Sequence, residues 1–325
     1  MYVLGIDGGG TKTTGIIATI KGEVLAKTTV GGTNINSMGK TAVQLELQKL
    51  VANLKELAPE KTLLVKRVFA GMAGAGNRTN QEAIKTMLLP LFSSEVSITI
   101  DHDAITALYS GTIGKPGVVQ IAGTGAITYG VNKAFDRARV GGWGHLFGDQ
   151  GSGYAIGRDA LEAAFKARDG LIEPTYLIEL LTKHFQIEQL PDIIPIIYQA
   201  ENPKKLIASL TVLVMEAVER HDLVAKQIIE RNGEELGLAI SVLVRKLFGQ
   251  GDVTIPVVLV GGLFNRYDVL KASIERTINN NSMSVDIMFP KILPAGGAVV
   301  AALIEENIQI DDCFLDTFNR TNYDN

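Results

Sequence analysis

Apolar residues recur along the chain with two different periods, and the places where one period gives way to the other outline its elements. Val43, Leu47, Leu50 and Leu54 fall at i, i+4, i+7 and i+11, the spacing of one buried stripe on a helix. The same spacing returns at Leu206, Leu210, Leu213 and Ala217, and again at Leu236, Ile240, Leu243 and Leu247. Short strand-like runs at 63–70, 96–100 and 257–260 alternate with such stretches, which predicts an α/β fold with partly parallel sheets. Residues 157–248 read as almost wholly helical, and the tail after Ile310 is polar and expected to be loosely held.

Glycines gather where the strand-like runs end. Residues 3–7 lead into Gly8-Gly9-Gly10-Thr11, a second strand follows at 14–20, and after Lys21-Gly22 a third occupies 23–29; this is a β-meander with a glycine-rich first turn. About a hundred residues on, Val118-Val119-Gln120-Ile121 enters Ala122-Gly123-Thr124-Gly125 and residues 126–131 return. The repeated unit predicts an internal duplication, two similar domains facing each other; two unrelated glycine hairpins would leave the same trace.

Length changes this picture only by adding a boundary. At 325 residues the chain exceeds the usual size of a single core, so two domains are expected, a small N-terminal one at 1–113 and a larger one with helical additions at 114–325, with a natural ligand cleft between them. An apolar share of 46 % with 20 % charged residues is that of an ordinary soluble protein. The net charge of −4, with Lys and Arg scattered, provides no basic stripe, which argues against a nucleic-acid partner. Cys313 is the single cysteine, so no internal disulfide or multi-cysteine metal site can form, as suits a reducing compartment. His102, His145, His184 and His221 show no pairing at metal-ligand spacing. The N-terminus runs directly into a strand without a signal-peptide pattern, and the uncharged stretches near 117–132 and 255–265 are broken by Gly, Thr and Asn; a cytoplasmic address without a membrane partner is the expectation.

Three glycine-rich turns follow strands: Asp7-Gly8-Gly9-Gly10-Thr11-Lys12-Thr13, Gly123-Thr124-Gly125 and Val260-Gly261-Gly262. Without a Cβ, backbone amides approach phosphate oxygens closely, and each charge-assisted hydrogen bond contributes about 1.5–3 kcal/mol. Any one such turn, taken alone, reads more readily as a tight hairpin. Asp7 tips the balance, because a carboxylate ending a buried strand needs a cation or donors, and Mg²⁺ carried by nucleotide phosphates is such a partner. There is no Gly-x-x-x-x-Gly-Lys-Ser/Thr, no Gly-x-Gly-x-x-Gly between the first strand and a helix, and no His-Arg-Asp loop, so a phosphate site here is of another design.

Those turns, with Pro294-Ala295-Gly296-Gly297-Ala298, resemble the phosphate and adenosine motifs of the actin, Hsp70 and hexokinase superfamily. The string Gly141-Gly142-Trp143-Gly144-His145-Leu146-Phe147-Gly148-Asp149-Gln150-Gly151-Ser152-Gly153 looks like the signature of N-acetylglucosamine kinases and related BadF-type ATPases. The resemblance implies two ribonuclease-H-like, actin-like ATPase domains around a nucleotide and sugar cleft. It implies ATP and Mg²⁺ as cofactors, transfer to N-acetylglucosamine, most readily at its 6-OH, and a homodimer. It places Asp103 as catalytic base and sugar contact, and Asn34, Gly142, Trp143, Gly144 and Asp149 as further sugar contacts. Gly9, Gly10, Thr11, Lys12, Gly123, Thr124, Gly125, Gly261 and Gly262 fall at the ATP, and Asp7 at the metal.

Independent chemistry agrees with these roles but leaves alternatives. Asp103 follows a strand and opens an apolar helical segment, where a carboxylate can take a hydroxyl proton; a plain helix N-cap is the other reading, and Asp101 competes for the same task. Trp143 could stack on a sugar face or fill a core, and Asp149 could bind hydroxyls or satisfy its own loop. Asn36 stands where the mammalian kinases carry an aromatic residue, and Gln150 replaces the acidic residue usual after Asp149, so N-acetylmuramic acid and glucosamine remain alternative substrates. An ATPase activator with an inter-subunit iron–sulfur cluster would need more cysteines, and a sugar-responsive repressor would need a helix-turn-helix ahead of the first strand. A sugar sensor without turnover also remains.

Overall fold

The computed structural model describes residues 1–249 and 253–323. The chain forms two compact units, Met1–Pro116 with Phe289–Asn325, and Gly117–Met288.

In the first unit β1 (Tyr2–Gly8), β2 (Lys12–Thr19), β3 (Val24–Gly31), β4 (Val65–Met72) and β5 (Ser97–His102) make a sheet in the order β3-β2-β1-β4-β5. The meander β1-β2-β3 is antiparallel, and β4 and β5 add to β1 in parallel. In the second unit β6 (Gly117–Ala122), β7 (Ala126–Val131), β8 (Arg137–Gly141), β9 (Ile255–Val260) and β10 (Val285–Met288) take the order β10-β9-β6-β7-β8. Read from its other edge this is the same topology, an antiparallel meander with two parallel strands beside its first member. The repeated glycine hairpin is therefore the first turn of two like sheets.

Strand alternation decides what each face meets. Leu4 and Ile6 of β1 are fully buried in one core with Val43, Leu47, Leu50 and Leu54 of the Lys40–Leu57 helix. Gly5 and Asp7 face the other way, where the Pro294–Glu305 helix packs so tightly that a Cβ at Gly5 would strike backbone of Ala295 and Val299.

Three expectations are revised. Residues 289–323 belong to the same compact unit as the N-terminal sheet, against the expectation of one domain over 114–325. The tail is a helix, Asp312–Tyr323, held by Phe314 and Phe318, which are buried and stack with centroids 5.9 Å apart. It is tied to the meander by Val24 N–H donating to Thr321 Oγ1 at 2.9 Å and Lys27 Nζ donating to the Asn322 carbonyl at 2.7 Å. The apolar pair at i, i+4 outweighs the polarity of its neighbours. The stripe from Leu206 to Ala217 spans two helices, Pro203–Ser209 and Thr211–Glu219, because the Thr211 hydroxyl turns back to the carbonyls of Ala208 and Gly153 and interrupts the ladder at Leu210. Among the described residues no helix is long and apolar enough to cross a membrane.

Candidate active site

The register of the first sheet sets Asp7 beside Gly71 and Gly71 beside Asp101, with Gly8, Met72 and His102 forming the next row. Chemistry-bearing residues thus collect at the carboxyl ends of β1, β4 and β5, the usual place for a ligand in open α/β sheets.

Asp7 is partly buried, and Thr106 of the Asp103–Thr112 helix reaches its Oδ1 at 2.6 Å. Only a glycine at 71 permits this, since a Cβ there would strike the Thr106 methyl. Burial pushes the Asp7 carboxyl up to about 7; the Thr106 hydrogen bond opposes that rise, the Asp103 charge adds to it and Lys12 offsets part of it. Thr106 Oγ1 also lies 2.6 Å from the Asp103 carbonyl. One hydroxyl proton serves one acceptor at a time, so the Thr106 hydroxyl divides its donation between Asp7 and that carbonyl.

The β1–β2 turn is a true hairpin, with Gly9 N–H donating to the Lys12 carbonyl at 2.9 Å. The Gly9 carbonyl accepts from Thr33 N–H at 2.9 Å, and Gly32 passes so near Gly10 that any Cβ on it would hit the Gly10 carbonyl. Thr11 and Lys12 are exposed beyond this seam. Asn34 caps the Ile35–Met38 turn, its Oδ1 accepting from Asn36 N–H at 3.0 Å. Gly74, at φ +84°, lies against that oxygen. Asn80 Nδ2 donates to Asn36 Oδ1 at 3.0 Å and to the Gly74 carbonyl at 2.7 Å.

Asp103 is not the cap of its helix. That position belongs to His102, whose Nδ1 accepts from Ala104 N–H at 3.1 Å. The Asp103 carboxylate is left beside the ring, Oδ1 to Nδ1 2.7 Å, with 27 % of its side chain exposed. Asp101 is only 4 % exposed, and its Oδ1 accepts from His102 N–H at 2.7 Å.

In the second unit Gly123 N–H donates to the Gly125 carbonyl at 2.9 Å, and the turn sits on the start of the Gly153–Arg168 helix, Gly153 N–H donating to the Gly123 carbonyl at 2.8 Å. Gly261, at φ +115°, ends β9 against the Ala122 carbonyl, where no side chain would fit. The turns at 123–125 and 261–262 therefore lie together. Asp149 is 4 % exposed, at φ +60°, with its carboxylate against Gly125 and Lys204 Nζ 3.2 Å from Oδ2. Gly142 and Gly144 take φ +69° and +88°. Trp143 is no core residue: it is 63 % exposed, and the Arg139 guanidinium stands 3.9 Å from its ring centroid.

Thr106, Gly71, His102 and Asn80 join the candidate residues of the first unit, and Lys204 those of the second, without the sequence having assigned them there. Thr106 alone carried a local signal, three residues after Asp103 on a helix. Among the described residues no three His, Cys, Asp or Glu side chains converge as a metal cage. A lone carboxylate at Asp7 beside a glycine-rich hairpin suits Mg²⁺, which keeps waters and would take most other ligands from a bound phosphate.

Comparison with known proteins bears on both units. The chain is 36 % identical over 304 residues to an N-acetylmuramic acid/N-acetylglucosamine kinase of Clostridium acetobutylicum, covering 94 % of this chain and 99 % of that one. It is 32 % identical over 309 residues to an N-acetyl-D-glucosamine kinase of Dictyostelium discoideum, covering 92 % and 97 %. A proposed N-acetylglucosamine kinase from Chromobacterium violaceum superposes with a TM-score of 0.71 at 22 % identity over 93 % of this chain and 98 % of that one. A ROK family glucokinase from Streptomyces griseus, solved with glucose and AMPPNP, gives 0.56 at 14 % over 94 % and 99 %. The fold is thus the actin-like ATPase fold of sugar kinases, and the match of residues 4–304 to the family pattern decides the assignment: the chain belongs to the BadF/BadG/BcrA/BcrD ATPase family.

Proposed function

We propose that this protein transfers the γ-phosphate of ATP to an amino sugar, N-acetylglucosamine first, giving the 6-phosphate and ADP. The observation that carries this reading is the state of Asp103: a partly exposed carboxylate at the first position of its helix, just past the N-cap position taken by His102, and held at 2.7 Å from the His102 ring. A group so placed can accept a hydroxyl proton as the hydroxyl attacks phosphorus. The more buried Asp101, engaged with a backbone amide, is the weaker candidate.

The remaining roles are those the family resemblance implies, and the geometry within each unit supports them. Asn34, positioned by Gly74 and the Asn36–Asn80 pair, and Asp149, positioned by Gly125 and Lys204, offer hydrogen bonds to sugar hydroxyls and the acetamide. Gly142 and Gly144 give Trp143 the backbone freedom to present its exposed ring to the sugar. Gly9 to Lys12, Gly123 to Gly125, and Gly261 with Gly262 contact the nucleotide. Mg²⁺ on its phosphates neutralises charge in the transfer when bound, and Asp7 is the residue that would hold it. The relatives' names make N-acetylmuramic acid and glucosamine the second choices of acceptor. A cytoplasmic homodimer belongs to the same reading.

The test is a coupled ADP-release screen over N-acetylglucosamine, N-acetylmuramic acid, glucosamine and glucose, with Asp103→Asn alongside. The expected result is turnover with an amino sugar that drops at least about 10²-fold in the variant. ADP release indifferent to every sugar, or undiminished in Asp103→Asn, would refute it.

A further inference from the structure

We propose that His102 is a positioning residue for the phosphoryl-transfer site: a proton on its Nδ1 holds the Asp103 carboxylate in the orientation that activates the acceptor hydroxyl. The inference rests on the role given to Asp103 above.

Successive residues within a helix point to different sides and do not face each other. His102 and Asp103 meet because the chain changes conformation between them. His102 is the N-cap, with extended φ −69° and ψ 140°, while Asp103 is already helical. The extended backbone folds the imidazole back over the first turn, where Nδ1 finds two neighbours, Asp103 Oδ1 at 2.7 Å and Ala104 N–H at 3.1 Å. Gly76 lies along the Cδ2 edge of the ring. Only 17 % of the His102 side chain is exposed.

A single ring nitrogen carries either a proton or a lone pair in the plane of the ring, so it cannot serve both neighbours at once. A lone pair suits Ala104 N–H but repels an ionised carboxylate oxygen. A proton suits the carboxylate, and the 2.7 Å separation is that of a charge-assisted hydrogen bond, shorter than the 3.1 Å to the amide. The ionised Asp103 that a base requires therefore selects the Nδ1–H form. In that form the carboxylate loses its free rotation, and the oxygen not bound to His102 is left to face the acceptor. The protein thus relinquishes an ideal helix cap to hold a catalytic group, a conflict of local preferences of the kind found at functional sites.

Two near-isosteric substitutions separate this role from capping. Asn and Asp are both favoured caps, but only an asparagine at this position carries an N–H to offer Asp103, whereas an aspartate there repels it. His102→Asn is expected to keep kcat within about threefold of the wild type, and His102→Asp to lower it about 10²-fold with KM for ATP little changed. His102→Ser, a good cap too short to reach the carboxylate, is the second variant should His102→Asp not fold; its kcat is expected to fall at least about tenfold. Thermal melting of each variant checks the cap. Equal kcat for the Asn and Asp variants, or a Ser variant within about threefold of wild type, would show that His102 only caps the helix. A wild type without sugar-dependent ADP release would take the functional reading and this inference down together, whereas a dead Asp103→Asn with equal Asn and Asp variants at 102 removes only the inference.

Discussion

Gly71 and Thr106 are complementary: the glycine lacks the Cβ that the threonine methyl would strike, and through that gap the Thr106 hydroxyl reaches Asp7 at 2.6 Å. The carboxylate thereby gains a side-chain donor in a partly buried position. Thr106→Val keeps the shape and removes the donor. That hydrogen bond favours the ionised form, so its loss moves Asp7 upward from about 7. The acid limb of the kcat/KM profile is expected to shift about half to one pH unit toward alkaline in Thr106→Val. An unmoved limb would mean that Asp7 does not govern it.

Asp7 also lowers stability at neutral pH. Its folded pKa of about 7 lies above the ordinary 3.8, so between those values the folded protein keeps a proton that the unfolded chain has released. Stability falls as pH rises through this window. Asp7→Asn has no such dependence. Its ligand-free form is expected to be more stable than wild type at pH 8, by about 1–3 kcal/mol once partial exposure is allowed for, with the difference vanishing near pH 4. Turnover is expected to be lost at both. Melting curves at the two pH values read the sign directly.

In the second unit, Gly125 leaves room for the Asp149 carboxylate, and a Cβ at 125 would come within 2.8 Å of its Oδ2. Gly125→Ala is expected to displace Asp149 from Lys204 and raise KM for the sugar about tenfold or more, with a smaller change in melting temperature. Lys204→Met releases the same carboxylate without crowding it and should shift KM in the same direction. A sugar KM unchanged in both variants would remove Asp149 from the acceptor site.

Phe318 is fully buried and lies where a Cβ on Gly296 would touch its ring. Phe318→Ala is expected to destabilise the first unit by about 3–5 kcal/mol, measured by denaturant unfolding. A loosely attached tail would show almost no effect.

The meander strands, the parallel strands β4, β5 and β9 and the Lys40–Leu57 helix were legible because their signals are local: a glycine turn after an apolar run, or a stripe of leucines. β8, reading Arg-Ala-Arg-Val-Gly, and the four-residue β10 were not, since both are edge strands with few fully buried positions. Asp7, Asp103 and Asp149 stood out as carboxylates in glycine-rich or strand-ending contexts. Their partners did not. Thr106 reaches Asp7 across 99 positions of chain and Lys204 reaches Asp149 across 55, and only strand register and helix placement bring such residues together. His102 was visible as a histidine without a metal partner, but its identity as the cap in place of Asp103 depends on one backbone dihedral pair.

The first unit is assembled from the two ends of the polypeptide, with Phe289–Asn325 completing the body begun by Met1–Pro116. On the ribosome, β1 emerges hundreds of residues before the Pro294–Glu305 helix that covers Gly5. The intervening Gly117–Met288 segment is contiguous and can close on itself while translation continues. The nascent N-terminal sheet can therefore gain the Asp103–Thr112 helix on this face early, but the part around Gly5 must wait, a long-range closure of the kind that slows folding and exposes chains to aggregation. Premature termination anywhere before residue 294 would leave the sheet uncovered around Gly5, so chaperone demand should fall on the N-terminal half of this chain.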